Sequence, residues 1–137
     1  MKKLVLAAVV TYIVLMASNY LINSILLMPD YNAIPLSHRS MEGIMHRFWA
    51  LALGQLFYAI FFVYIYARGA EHKSWPAQGV RYGIVMTLFT VIPVSLTQYD
   101  IYIVPYMLAI KWMVAGALQM LLLGIIVAAI YKQPQSA

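Results

Sequence analysis

The chain has 137 residues, of which 64% are apolar and only 9% are charged, with nine Lys or Arg against four Asp or Glu. A soluble domain holds roughly 25% charged residues, so the composition excludes a water-soluble globule. The same composition excludes an intrinsically disordered chain. The remaining class is an integral membrane protein with little mass outside the bilayer.

Four stretches are long enough for transmembrane helices, each of which needs about 20 mostly apolar residues. The predicted helices cover residues 4–28, 41–67, 80–98 and 105–131. Helix breakers separate them, namely Pro29, Gly69 and Pro105. The sequence therefore predicts an all-α fold, an antiparallel bundle of four transmembrane helices, in one membrane domain of residues 1–137.

Local signals refine these helices. The start of the chain resembles a signal peptide, but its apolar run continues to Met28, so the first helix is expected to be retained. Ser40 is a plausible cap for a second helix that starts near Met41 and enters the membrane at Phe48. Pro93 lies inside the third helix and is expected to kink it.

The basic residues predict the orientation. One predicted side of the membrane carries six of them, Lys2, Lys3, Arg68, Lys73, Arg81 and Lys132, and the other carries Arg39 and Arg47. The positive-inside rule then places both termini in the cytoplasm. These scattered charges are typical of anchoring to the inner leaflet, and they do not form a nucleic-acid groove.

Nine polar side chains lie within or at the edge of the predicted helices and are the candidate site residues: Asn19, Asn23, Gln55, Thr87, Thr90, Gln98, Asp100, Lys111 and Gln119. Such groups are costly in hydrocarbon. They form either hydrogen bonds between helices or the wall of a binding cavity. The threonines can also bond their own helix backbone four residues back.

Lys111 is the most informative of these residues. At four-residue steps it heads a stripe with Ala115 and Gln119. It is interpreted as an interfacial anchor that could pair with Asp100, or as the counter-charge for an anionic ligand, a lipid headgroup or a proton.

Small residues four apart predict close helix contacts. One pair is Ala50 and Gly54 in the second helix, and the other is Gly124 and Ala128 in the fourth. Small side chains let two helix backbones approach each other closely in a membrane.

Cofactor and catalytic motifs are not recognisable. The chain has no cysteine. His38, Met41, Met45 and His46 are ligand types that suit Cu(I), but solvated interfacial side chains are the preferred interpretation, over copper or haem. No serine, histidine and aspartate set or paired carboxylates mark a catalytic site. We expect no metal, no cofactor and no enzymatic activity.

Two segments of the chain resemble segments of a known group of proteins. They are residues 26–31 with Arg39, and residues 102–106 with Lys111, Trp112 and residues 130–132. Together they resemble a group of small four-helix proteins of the bacterial inner membrane that have no assigned function, which implies that location. The chain length also resembles glutathione-dependent membrane enzymes, but the Asn and Glu signature of their second helix is absent.

Two functions remain. The first is a non-catalytic accessory or assembly subunit, in a larger membrane complex or a homo-oligomer. The alternative is a binder or transporter of a small molecule or lipid that uses the polar stripe around Lys111. The lipid bilayer is a partner in either case, and a nucleic acid in neither.

Overall fold

The computed structural model describes residues 1–33 and 41–132, and these residues are almost wholly helical, with no strand among them. The helices are α1 (Lys2–Leu26), α2 (Met28–Asn32), α3 (Met41–His46), α4 (Phe48–Gly69), α5 (Trp75–Ile101) and α6 (Tyr106–Ile130). Within the described ranges, α1, α4, α5 and α6 are long and apolar enough to cross a membrane. The all-α prediction with four such helices is confirmed.

The helix ends differ from the predicted ones where proline acts. α1 ends at Leu26, and α2 is a separate short helix with Pro29 in its first turn. α5 begins at Trp75 instead of residue 80, because Pro76 has the backbone angle of a first helical turn and needs no hydrogen-bond acceptor there. The predicted helix 41–67 is interrupted at Arg47, between α3 and α4.

Two π-helical turns widen the long helices just ahead of a proline. One covers Leu21–Leu26 in α1, and the other covers Thr87–Val91 in α5. A proline has no N–H and its ring presses on the carbonyl four residues earlier, so a wider turn relieves the clash. The distortion expected at Pro93 therefore takes the form of the π turn that precedes it.

Glycines bring α5 and α6 into backbone contact. A Cβ added to Gly83 would lie 2.7 Å from the Cα of Leu121, and one added to Gly79 would lie 2.8 Å from the carbonyl oxygen of Gly124. Gly124 and the buried Ala128 thus form the contact that their spacing predicts. The expectation for Ala50 and Gly54 is wrong for the described chain: Ala50 is exposed, and no described atom outside α4 lies within 4 Å of a Cβ added to Gly54.

The end of the helices that carries the chain termini is filled by a hydrophobic core. The core consists of Ala7, Leu15, Phe62, Val63, Tyr66, Met86, Met120, Leu123, Val127 and Ala128. Tyr82 joins α5 to α4, because its hydroxyl donates a 2.6 Å hydrogen bond to the carbonyl of Phe62. The rings of Phe62 and Tyr66 meet Tyr82 edge-on at 4.8 and 5.2 Å. This half of the molecule is closed by packing.

The connection between α4 and α5 is held by one side chain. The Gln78 amide donates to the carbonyls of Glu71 (2.6 Å) and Lys73 (2.9 Å) and accepts from the Glu71 N–H (3.0 Å). The ammonium of Lys73 pairs with Glu71 and lowers the pKa of that carboxyl group. The turn therefore fixes where α5 begins relative to α4.

The α5–α6 contact predicts a contrast between two glycine substitutions. Gly83→Ala should lower the free energy of unfolding by about 1–3 kcal/mol, because the new methyl group meets backbone that cannot move aside. Gly54→Ala is the matched control, and alanine should be neutral or stabilise by up to about 1 kcal/mol in an open helical position. Thermal unfolding in detergent measures both, and equal effects would contradict the contact.

Candidate functional site

A cavity of about 390 Å³ lies between α1, α4, α5 and α6, beyond the hydrophobic core. Its lining consists of Leu15, Asn19, Ile22, Asn23, Gln55, Tyr58, Thr90, Val91, Val94, Ser95, Gln98, Trp112, Ala115, Gly116, Gln119 and Met120. None of these described lining residues carries a charge. The volume is near the lower end of the range for small-molecule sites, about 300–1,000 Å³.

Tyr58 forms the boundary between the cavity and the hydrophobic core. Its hydroxyl lies 3.1 Å from the sulfur of Met120 and 3.3 Å from the hydroxyl of Thr90. Thr90 in turn donates to the carbonyl of Met86 at 2.7 Å, as expected for a threonine in a membrane helix. These contacts join α4, α5 and α6 at the floor of the cavity.

The α1–α6 wall is closed by side-chain amides. The Gln119 amide nitrogen donates to the Ser18 hydroxyl at 2.7 Å and to the Asn19 side-chain oxygen at 3.0 Å. Asn23 donates to the backbone carbonyl of Asn19 at 2.9 Å. Part of the predicted polar set is thus satisfied between helices, which is how such groups stabilise membrane proteins.

The short helix α2 extends this wall to the rim. The Trp112 indole N–H donates to the Tyr31 hydroxyl at 2.9 Å, and that hydroxyl donates to the Asn23 side-chain oxygen at 3.0 Å. Burial raises the pKa of Tyr31, with the charge of Asp30 adding to the effect and the Trp112 hydrogen bond opposing it. The phenol therefore stays protonated and remains a donor at neutral pH.

Lys111 is paired with Asp30, and the expected pairing with Asp100 is not present in the structure. Its ammonium contacts both carboxylate oxygens of Asp30 at 2.8 Å. α2 brings Asp30 over the start of α6, whereas Asp100 is exposed at the end of α5. Lys111 lies outside the cavity lining, so its charge is neutralised beside the cavity and not offered to a ligand inside it.

Two lining amides remain without a partner. The side-chain amides of Gln55 in α4 and Gln98 in α5 make no hydrogen bond with any other described residue. They lie on the two helices whose backbones make little contact with each other. The cavity therefore combines a hydrogen-bonded wall at α1 and α6 with free amide donors and acceptors at α4 and α5.

The structure brings together six of the nine predicted site residues: Asn19, Asn23, Gln55, Thr90, Gln98 and Gln119. Thr87, Asp100 and Lys111 do not line the cavity. Thr87 instead donates to the carbonyl of Gly83 at 2.8 Å.

Sequence reasoning missed three lining residues with a hydroxyl or indole N–H, Tyr58, Ser95 and Trp112. Tyr58 follows Gln55 by three residues and so shares its helix face, which was an available signal. No motif distinguished Ser95 or Trp112 as a site residue.

The suggested metal ligands are only partly described. His38, with Arg39 and the Ser40 cap, lies outside the described residues, as does the side chain of Met41. Within residues 1–33 and 41–132, His, Cys, Asp and Glu form no group of three or more that could hold a metal ion.

The Asp30 pairing predicts a specific coupling of stabilities. Lys111→Gln and Asp30→Asn should each destabilise the protein, and the double variant should be little worse than either, with a coupling of about 1 kcal/mol for this partly exposed pair. Asp100→Asn is the control, and its effect should add to that of Lys111→Gln. Thermal unfolding of the five variants measures this, and coupling to Asp100 in place of Asp30 would refute the assignment.

Comparisons with known proteins supply no family for this chain. No family model, no curated protein and no solved structure matches it. The resemblance to small four-helix proteins of the bacterial inner membrane stays a prediction.

Proposed function

We propose that the protein binds a small molecule in the cavity between its four long helices, as a membrane binder or transporter. The observation that carries the proposal is a pair of unpartnered side-chain amides, the half-buried Gln55 and the exposed Gln98, in a cavity with a closed floor. Polar groups in a membrane helix are costly unless they are satisfied. A bound molecule with hydrogen-bonding groups satisfies them.

The division of the molecule supports the same proposal. One end of it is a packed hydrophobic core, and Tyr58 separates that core from a cavity with polar walls. The two π turns adjoin the cavity, because Ile22 and Asn23 lie in one and Thr90 and Val91 in the other. π turns occur frequently at functional sites.

An accessory subunit is the second candidate. The observation that favours it is the exposed pair of small residues in α4, Ala50 and Gly54, which leaves backbone open to a helix of another protein. This role requires a stoichiometric membrane partner or a homo-oligomer. It needs no ligand in the cavity.

We further propose an antiparallel bundle with both termini in the cytoplasm of a bacterium, embedded in the inner membrane. The six basic residues near the termini and the α4–α5 connection support this orientation. The hydrophobic core then lies in the cytoplasmic half, and the cavity lies in the outer half.

Native mass spectrometry of the protein, extracted with its surrounding lipid, tests the binding role. The wild-type protein should carry a compound at close to one per chain, and Gln55→Leu with Gln98→Leu should weaken its binding at least about fivefold. The loss of two neutral hydrogen bonds makes the free energy of binding less favourable by about 1–3 kcal/mol. Neither substitution removes a bond within the described protein, so folding should be kept.

Thr97→Val is the matched control, because Thr97 lies on α5 beside Gln98 but outside the cavity lining. The bound compound should occupy the Thr97→Val variant to the same extent as the wild-type protein. An empty cavity together with a stoichiometric larger protein would refute the binding role and establish the accessory one.

Single cysteines test the orientation cleanly in this cysteine-free chain. In intact cells, a membrane-impermeant maleimide should label Asn32→Cys, at the end of α2. It should label Ser74→Cys, between α4 and α5, only after the membrane is permeabilised. The reverse pattern would overturn the proposed topology.

A further inference from the structure

We infer that the ligand is a neutral amphiphile of the bilayer: its hydrogen-bonding head lies in the cavity and its apolar tail leaves between α4 and α5 into lipid. This inference rests on the proposed binding function and specifies its ligand class. It follows from the lining chemistry, the size of the cavity and the side on which the cavity opens.

The lining favours a neutral head. Five carboxamides, from Asn19, Asn23, Gln55, Gln98 and Gln119, surround the space, and the described lining contains no charged group. A carboxamide offers both donors and acceptors, which match hydroxyl, carbonyl or ester groups. A charged head would be buried without a counter-charge, which is strongly unfavourable. The nearest ammonium, that of Lys111, is already paired with Asp30.

The size of the cavity allows it to hold the head of such a ligand but not its tail. A volume of about 390 Å³ holds a ring or a small head, but not a complete lipid. A ligand drawn from the membrane must therefore extend out of the cavity. Val94 lines the cavity and is 53% exposed, so the apolar rim of α5 is open to such an extension.

The contacts between the helices leave the side between α4 and α5 open for the tail of the ligand. Hydrogen bonds of Gln119 close the α1–α6 side, and α5 lies against α6 at Gly116, where an added Cβ would be 2.5 Å from a methyl of Val91. α1 also packs against α4, through its Lys2–Tyr20 part. Between α4 and α5, the described side-chain bonds and ring contacts involve Tyr58, Phe62 and Tyr66 of α4. The preceding half of α4, which contains Gln55, therefore faces Val94 and Gln98 across a gap.

Trp112 provides a reporter inside the cavity. The chain has three tryptophans, and Trp49→Phe with Trp75→Phe leaves Trp112 alone. The protein is placed in nanodiscs of phosphatidylcholine that contain one lipid with brominated chains, which quench tryptophan on contact. The probes are diacylglycerol, with a neutral head, and phosphatidylcholine and phosphatidate with the same chains.

The inference expects selective and saturable quenching. Half-maximal quenching by diacylglycerol should occur at a mole fraction at least fivefold below that for either phospholipid. Gln55→Leu with Gln98→Leu should remove this preference, and Thr97→Val should keep it. Should the double Trp→Phe variant fail to fold, a bimane label on Val94→Cys in the otherwise native chain serves the same comparison.

The outcomes separate this inference from the proposed function. Equal quenching by all three lipids, or a preference for phosphatidate, overturns the neutral amphiphile. Quenching by acrylamide, a neutral water-soluble probe, without any lipid preference makes the ligand water-borne and overturns the inference, while a bound compound in mass spectrometry still supports the binding function. If no probe reaches Trp112 and no compound is bound, both proposals fail.

Discussion

The backbone contact between α5 and α6 is the interaction on which the rest of the structure depends. Lipid chains are as apolar as the helix surfaces, so burial alone does not drive helices together in a bilayer, and close packing must do so. Gly79 and Gly83 of α5 meet Gly124 of α6 without intervening side chains. This contact anchors one half of α5, and the half beyond the π turn at Thr87–Val91 lines the cavity.

The same polar residue type has two roles on opposite sides of the cavity. Gln119 is held by Ser18 and Asn19 and joins two helices, whereas Gln55 and Gln98 have no partner among the described residues. A hydrogen-bonded amide holds two helices together. An amide without a hydrogen bond in an apolar region costs free energy unless water or a ligand binds it. This contrast separates the part of the polar set that builds the fold from the part available for binding.

Two prolines shape the helix backbone around the cavity. The π turns precede Pro29 and Pro93, and each turn places residues in the cavity wall. Pro29 also opens α2, the short helix that carries Asp30 to Lys111 and Tyr31 to Trp112. The constraints that Pro29 and Pro93 place on backbone hydrogen bonding thus determine both the wall and the rim of the proposed site.

The sequence by itself determined the four apolar helices, the breaks near Pro29 and Gly69, the back-bonds of Thr87 and Thr90, and which polar residues the helices contain, but not which of them line the cavity. These depend on composition and on neighbours within a turn. Only the tertiary structure decided that Lys111 pairs with Asp30 and that Gly54 faces outward. The physical reason is that helices apolar on every face carry no signal for their rotation, and rotation decides which residues meet.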